Sequence, residues 1–268
     1  LRYSSAMQKI LVLGGSGFIG HHVCEALERA GLYATVPTRR LPARSVQMLP
    51  RVTVVRADVH DPAQLSALVR GHDAVINLVA ILHGTAQSFD HVHVQLPRLL
   101  AQACADQGVR RLVHMSALGV DVNGPSMYLR SKAQGDAVLQ DMASRHGLEL
   151  TLLQPSVVFG ADDRFINVFA QLQALAPVVP LACAQAQFQP VWVQDVATFS
   201  CLAPSVAMVL FVVYDHCYVT KTDLFIGASA MPVSCIREGY RCVSLFDSNN
   251  ARSGAMKHAS LFIKVKID

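Results

Sequence analysis

The sequence predicts an α/β fold built on a doubly wound parallel sheet, and three observations carry that expectation. Strand-like and helix-like segments alternate six times between Lys9 and Leu153. The strand candidates are short continuous apolar runs, as expected where both faces of a strand are covered by helices. The first of them ends in a cluster of glycines and passes straight into a helix. Composition agrees: 52% of the 268 residues are hydrophobic and 16% charged, with a mean hydropathy of +0.34. These values exclude a disordered chain and a coiled coil, and the length is enough to bury a full core without staples.

Taken in order, Ile10–Leu13 is the first strand, and the helix His21–Ala30 stops at Gly31. Ala34–Val36 is the second strand, closed by Pro37, and the β-branched run Val52–Val55 is the third. Asp61-Pro62 starts a helix, the acid as cap and the proline at the first helical position, and Gly71 ends it. Asp73–Leu78 is the fourth strand. A helix from Phe89 to Gln107 leads to the strand Arg111–Met115, and a helix from Met127 to His146 leads to Leu150–Leu153. Right-handed crossovers of this kind give one parallel sheet.

The character changes after Asp195. Residues 1–200 hold 14 Arg and 2 Lys, whereas residues 201–268 hold 3 Arg, 4 Lys and four of the seven cysteines. Val206–Val213 and Leu261–Ile267 are strand candidates there, but helical periodicity is sparse. The expected organisation is therefore a nucleotide-binding domain over 8–197 and a reduced, atypical C-terminal segment over 198–268. That segment reads as a frame change, a truncation or a chimeric join in place of a substrate lobe.

The net charge of +4 is scattered, which argues against a nucleic-acid partner. The longest apolar run, Val206–Val213, falls far short of the roughly 18 residues of a membrane span. Leu1–Gln8 lacks the pattern of a secretory signal, and Met7 is the expected start. The cysteines contain no C-x-x-C pair, so reduced, buried thiols and a cytoplasmic location are expected.

Gly14-Gly15-Ser16-Gly17-Phe18-Ile19-Gly20 lies between the first strand and the first helix, where a dinucleotide-binding turn belongs. Gly14 allows the tight turn, Gly17 lets a pyrophosphate approach the backbone, and Gly20 lets the helix pack on the sheet. The helix N-terminus contributes free N–H groups to the phosphates, and Phe18, Ile19 and Gly20 of the turn are expected cofactor contacts. A mononucleotide P-loop is excluded because His21, not Lys, follows Gly20. The unit is thus a Rossmann one. An NAD-selective site places an acid at the end of the second strand, but this chain has Thr38-Arg39-Arg40. Guanidinium groups suit a 2′-phosphate, so NADP(H) is favoured over NAD(H). Asp58, with Val59, meets the adenine edge, and Asn77 to Ala80 run along the ribose.

Tyr128 and Lys132 stand at i and i+4 on one helix face, after Ser116 at a strand end. Tyr128 is placed as general acid/base, with Ser116 on the same substrate oxygen. A free phenol titrates near 10. Lys132 and the positive nicotinamide ring would lower it. The two members of His21-His22, and of His91-x-His93, do not share a helix face, and with no matching acid or Cys cluster expected nearby no metal is expected.

In these motifs the chain resembles the extended short-chain dehydrogenases/reductases. Gly14-x-x-Gly17-x-x-Gly20, Asp58-Val59, Ser116, Tyr128-x-x-x-Lys132, Pro155–Gly160 and Val193–Ala197 carry the likeness. Within that superfamily it is similar to the atypical, NAD-dependent epimerase/dehydratase branch that includes the Rossmann-fold accessory subunit of respiratory complex I. Asp73–Val79, His114–Gly119, Asp163–Phe165 and Phe188–Val193 carry this narrower likeness. The resemblance implies cofactor contacts at Pro155 and Val158, and a carbonyl/alcohol or nucleotide-sugar-like substrate. Its other implication is a non-catalytic NADPH-binding accessory or assembly protein, peripheral to a respiratory complex at the inner face of a membrane. Two departures stand out: His93 replaces the proton-relay Asn, and Gln154 replaces an Arg before Pro155. Trp192 is expected in the core, and Ala176–Leu181 as a packed apolar loop.

Overall fold

The computed structural model describes residues 9–163, 167–168 and 190–202, and the backbone of 208–217, 222–232, 239–244 and 260–265. Strand β1 (Lys9–Leu13) is buried beyond its first residue. It leads through the glycine turn into α1 (Phe18–Arg29) and then β2 (Tyr33–Thr38). A short helix α2 (Arg44–Gln47) precedes β3 (Val52–Arg56), and α3 (Pro62–Val69) precedes β4 (Ala74–Asn77). Asp61 caps α3 as its position predicts, accepting from the N–H groups of Ala63 and Gln64 at 2.9 and 3.1 Å.

The helical stretch expected over 89–107 is divided. It consists of α4 (Ala86–Asp90), a π-helical turn (His91–Gln95) and α5 (Leu96–Gln107). Strand β5 (Arg111–Met115), α6 (Met127–His146) and β6 (Glu149–Leu153) follow. Six parallel strands run in the order β3-β2-β1-β4-β5-β6. Strand order reverses between β1 and β4, the crevice where ligands sit in such sheets. Apolar side chains of α3, α5 and α6 cover one face of the sheet. Those of α1 and α7 (Val193–Leu202) belong to the other core cluster.

Two local departures have simple causes. Helix α1 starts at Phe18 rather than His21 because Gly17 is its N-cap and Gly20 fits inside the first turn. Strand β2 continues through Pro37 because its pairing with β1 ends at Leu11↔Thr35. Beyond that point the missing N–H breaks no bond to β1, and pairing with β3 carries on to Thr38↔Arg56.

Strands β7 (Val158–Phe159) and β8 (Val191–Trp192) form a small parallel pair. Trp192 corrects the expectation of a core residue: it is 51% exposed, while Val193 beside it is 1% exposed and takes the buried position. The chain forms two compact units, 1–204 and 205–268. In the second, β9 (Met208–Cys217) pairs antiparallel with β10 (Thr222–Pro232), and β11 (Gly239–Ser244) with β12 (Ser260–Val265). The 197/198 boundary expected from sequence falls inside α7.

Among the described residues no helix is long and apolar enough to cross a membrane. Cys24, Cys104 and Cys201 are buried free thiols that burial pushes up to about 12, 12 and 11. The other four cysteines, and the loop Ala176–Leu181, lie outside the residues whose side chains are described.

Candidate functional site

The glycine turn has the build of a phosphate cradle. Gly14 holds φ +78°, and a Cβ there would lie 3.1 Å from the Leu78 carbonyl carbon and 3.2 Å from the Val79 nitrogen. The turn is thereby seated against the end of β4, which joins Gly14 to the Asn77–Ala80 stretch. A Cβ on Gly20 would sit 2.1 Å from the Gly14 oxygen, so only glycine lets α1 close on the turn. Gly17 differs: a Cβ there would meet nothing but the Gly14 oxygen at 3.2 Å. That open approach and the N–H groups of the first helical turn fit a pyrophosphate. Ile19 packs into the core, and the Phe18 ring stands edge-on to His22 at 6.0 Å.

Beside the turn, a cleft of about 500 Å³ is lined by Ser16, Thr38, Arg39, Arg40, Arg44 and Ser45, among others. The Thr38 hydroxyl shapes its floor, donating to the Arg40 carbonyl (3.1 Å) and accepting from the Arg40 N–H (3.3 Å). Ser45 Oγ reaches the Ser16 carbonyl at 3.5 Å and links α2 to the glycine turn. Sequence reasoning found Arg39 and Arg40 but missed Arg44 and Ser45. Their only signal was an Arg-Ser pair after Pro42, which α2 carries back over the turn.

The remaining cofactor candidates are more dispersed. Asp58 is exposed and serves its own turn, its Oδ1 accepting from His60 N–H at 3.0 Å, while Val59 packs on the core. Asn77 is buried and Ala80 exposed. The Pro155 carbonyl accepts from Leu118 N–H at 2.8 Å, and Val158 pairs with Val191.

At the Tyr–Lys pair, the structure redirects two of the three side chains. Ser116 is 4% exposed, and its hydroxyl donates to Asp136 Oδ2 at 2.5 Å. Gln154 Nε2 donates to the same oxygen at 3.3 Å. Lys132 is 1% exposed and donates to the Met115 carbonyl at 2.6 Å, with His114 Nε2 at 3.2 Å. Burial brings Lys132 down to about 8, although Asp136 pulls the other way. Tyr128 is raised rather than lowered, by burial first and by Asp136 second. Asp136 and His114 were not picked out from sequence, yet Asp136 stands four residues after Lys132 on the same helix face.

His93, in place of the relay Asn, is buried between elements. Its Nε2 accepts from Ile81 N–H (3.1 Å), and its Nδ1 pairs with Ser131 Oγ (2.8 Å). The ring meets Tyr128 edge-on at 5.5 Å. His91 instead stacks on His60 at 4.1 Å, so the His91-x-His93 pair diverges. The other pair needs a correction. Glu25, at i+4 from His21 and i+3 from His22, brings one ligand atom of each residue within 4.8 Å. His22 Nδ1 lies 3.4 Å from Glu25 Oε2 and 3.0 Å from Gln194 Nε2.

Comparison with known proteins places this geometry. The model of the NAD dependent epimerase/dehydratase family matches residues 10–205. The mouse mitochondrial protein named NADH dehydrogenase [ubiquinone] 1 alpha subcomplex subunit 9 is 32% identical over 194 residues, covering 69% of this chain and 50% of that protein. A ceramide reductase of Caulobacter vibrioides is 26% identical over 189 residues, covering 70% of this chain and 58% of that enzyme. The chain thus spans about half the length of the curated relatives it matches. The UDP-glucose 4-epimerase of Thermotoga maritima shares the fold, with a TM-score of 0.65 at 19% identity over 75% of this chain and 74% of that one. So does a dTDP-glucose 4,6-dehydratase of Streptomyces venezuelae, with a TM-score of 0.63 at 24% identity over 74% and 72%. Sheet order, glycine turn and family match agree, and the chain belongs to the NAD-dependent epimerase/dehydratase family.

Proposed function

We propose that this chain binds a nicotinamide dinucleotide, NADP(H) in preference to NAD(H), and holds it as an accessory or assembly protein of a respiratory or quinone-related complex. The arginine cleft beside the glycine turn carries the cofactor part of this reading. The turn takes the pyrophosphate, and Arg39, Arg40 and Arg44 surround the place of a 2′-phosphate with charged, forked donors. The likeness to the mouse complex I subunit supports the accessory role.

The reacting end of the site supports holding over turnover. A bound dinucleotide supplies hydride exchange. For the chain to use it, Tyr128 must pass a proton and a hydroxyl must steady the substrate oxygen. Ser116 is committed to Asp136 instead, and burial and Asp136 make Tyr128 harder to ionise. A second reading has its own support, because Tyr128 and Lys132 do share one face of α6. In that reading the protein is an oxidoreductase acting on a carbonyl/alcohol or nucleotide-sugar-like substrate.

Fluorescence titration with NADPH and NADH tests the first reading. NADPH is expected to bind more tightly, and Arg39→Ala with Arg40→Ala to weaken NADPH by about 10- to 100-fold while sparing NADH. Equal affinities in the unmutated protein would overturn the preference. For the role, co-purification with a membrane complex and no turnover over a panel of carbonyls is expected. Turnover that Tyr128→Phe abolishes without loss of binding would establish the second reading.

A further inference from the structure

His93 stands in the place of the relay Asn, and both of its ring nitrogens are in use. The Ile81 backbone N–H can only donate, so His93 Nε2, 3.1 Å away, accepts and carries no hydrogen. An imidazolium would set Nε2–H against that N–H, so the ring is neutral and its hydrogen sits on Nδ1. Nδ1 faces Ser131 Oγ at 2.8 Å, and Ser131 Oγ donates its own hydrogen to the Tyr128 carbonyl at 2.9 Å. The bonds therefore run in one direction, from the Ile81 N–H through the imidazole and the Ser131 hydroxyl to the backbone of α6.

This chain of bonds joins two elements that a bound dinucleotide needs at a fixed separation. The segment after β4 is anchored at its start. Leu78 N–H donates to the Leu13 carbonyl at 3.0 Å, and Val79 N–H donates to Asn77 Oδ1 at 3.1 Å. The backbone of Leu78 and Val79 also lies against Gly14. His93 holds the far end at Ile81, and Ala80 is exposed between the two anchors. The His93 ring is 1% exposed and is flanked by Phe89 of α4 at 5.4 Å and by Tyr128 of α6 at 5.5 Å. Its own carbonyl lies against Gly135, where no side chain would fit. Ring and backbone thus pack on the same helix, which leaves the imidazole little freedom to part from Ser131.

We propose that His93 is a positioning residue that ties the segment Leu78–Ile81 to the helix of Tyr128 and so sets the separation between the ribose stretch and the Tyr128 end of the site. With both nitrogens occupied, it has none left to pass a proton in the place of the relay Asn. The inference rests on the cofactor reading above, in which Asn77 to Ala80 run along the ribose.

In 15N-histidine spectra of the full chain at neutral pH without dinucleotide, His93, assigned by through-bond transfer from its own backbone, is expected with its hydrogen on Nδ1 and a bare Nε2. A hydrogen on Nε2 overturns the proposal. Ser131→Ala removes the middle of the chain of bonds without touching Ile81. Hydrogen exchange at the Ile81 amide should quicken by about tenfold in that variant, and NADPH should bind about 3- to 10-fold more weakly. An unchanged Ile81 rate, or an unchanged NADPH affinity beside a quickened amide, also overturns it. Ser131→Thr keeps a hydroxyl able to bond the same carbonyl, and both values are expected to return to those of the unmutated protein. Should Ser131→Ala not fold, the ring tautomer decides. Tautomer and exchange rate are read without dinucleotide, so an unmutated protein that binds none sinks the cofactor reading while these two still judge the tie.

Discussion

His93 shows how a single residue ties stability to pH in this chain. It accepts from Ile81 and pairs with Ser131, whose hydroxyl bonds the Tyr128 carbonyl at 2.9 Å. Burial first, and Lys132 second, bring it down to about 4. The unfolded chain takes up a proton at this residue near pH 6.5, which the native state refuses until about 4. Its contribution is therefore fully present above pH 6.5 and is lost as the pH falls toward 4. The slope is about 1.4 kcal/mol per pH unit inside that window. His114, also lowered, adds loss of the same sign on acidification. Urea melts at pH 7, 5.5 and 4.5 should show falling stability, with a shallower fall in His93→Gln. An equal slope in that variant would assign the acid sensitivity elsewhere. None of this was legible in the motif, where His93 stood only as a departure from Asn, because its neutrality comes from elements packed around it.

The π-helical turn before α5 has its cause in two residues on separate helices. Pro97 has no N–H for the carbonyl of His93, and its ring would crowd that oxygen in a regular α-helix. The ladder opens there, and the freed carbonyl lies against α6, where a Cβ on Gly135 would come within 1.9 Å of it. Replacing a helical glycine with alanine ordinarily stabilises by up to about 1 kcal/mol. At Gly135 the sign is expected to reverse, with a lower Tm for Gly135→Ala and a disturbed Tyr128–His93 contact, read by calorimetry and Tyr fluorescence. A neutral or stabilising result would show that α6 can shift freely. Local chemistry made several elements readable in advance: Asp61-Pro62 starts α3 because a carboxylate caps free N–H groups wherever it stands. The break at His91–Gln95 was not readable, since Pro97 alone does not say which neighbour receives the carbonyl.

For the whole molecule, the family match over 10–205 and the compact unit 1–204 coincide closely, and both core clusters lie in that unit. A chain ending at Pro204 is accordingly expected to fold and to retain dinucleotide binding, with a cooperative circular-dichroism melt and an NADPH titration as the checks. Loss of binding would mean that residues 205–268 contribute to the site. The parallel sheet, the glycine turn and the Tyr–Lys face were determined by the sequence alone, because apolar period, glycine spacing and i,i+4 geometry are local properties. Tertiary structure decided the rest. It brought Arg44 to the cleft, left Trp192 exposed and turned Ser116 to Asp136. These depend on which donor meets which acceptor across strands and helices far apart in the chain, and in a dry interior that pairing governs the charge each group carries.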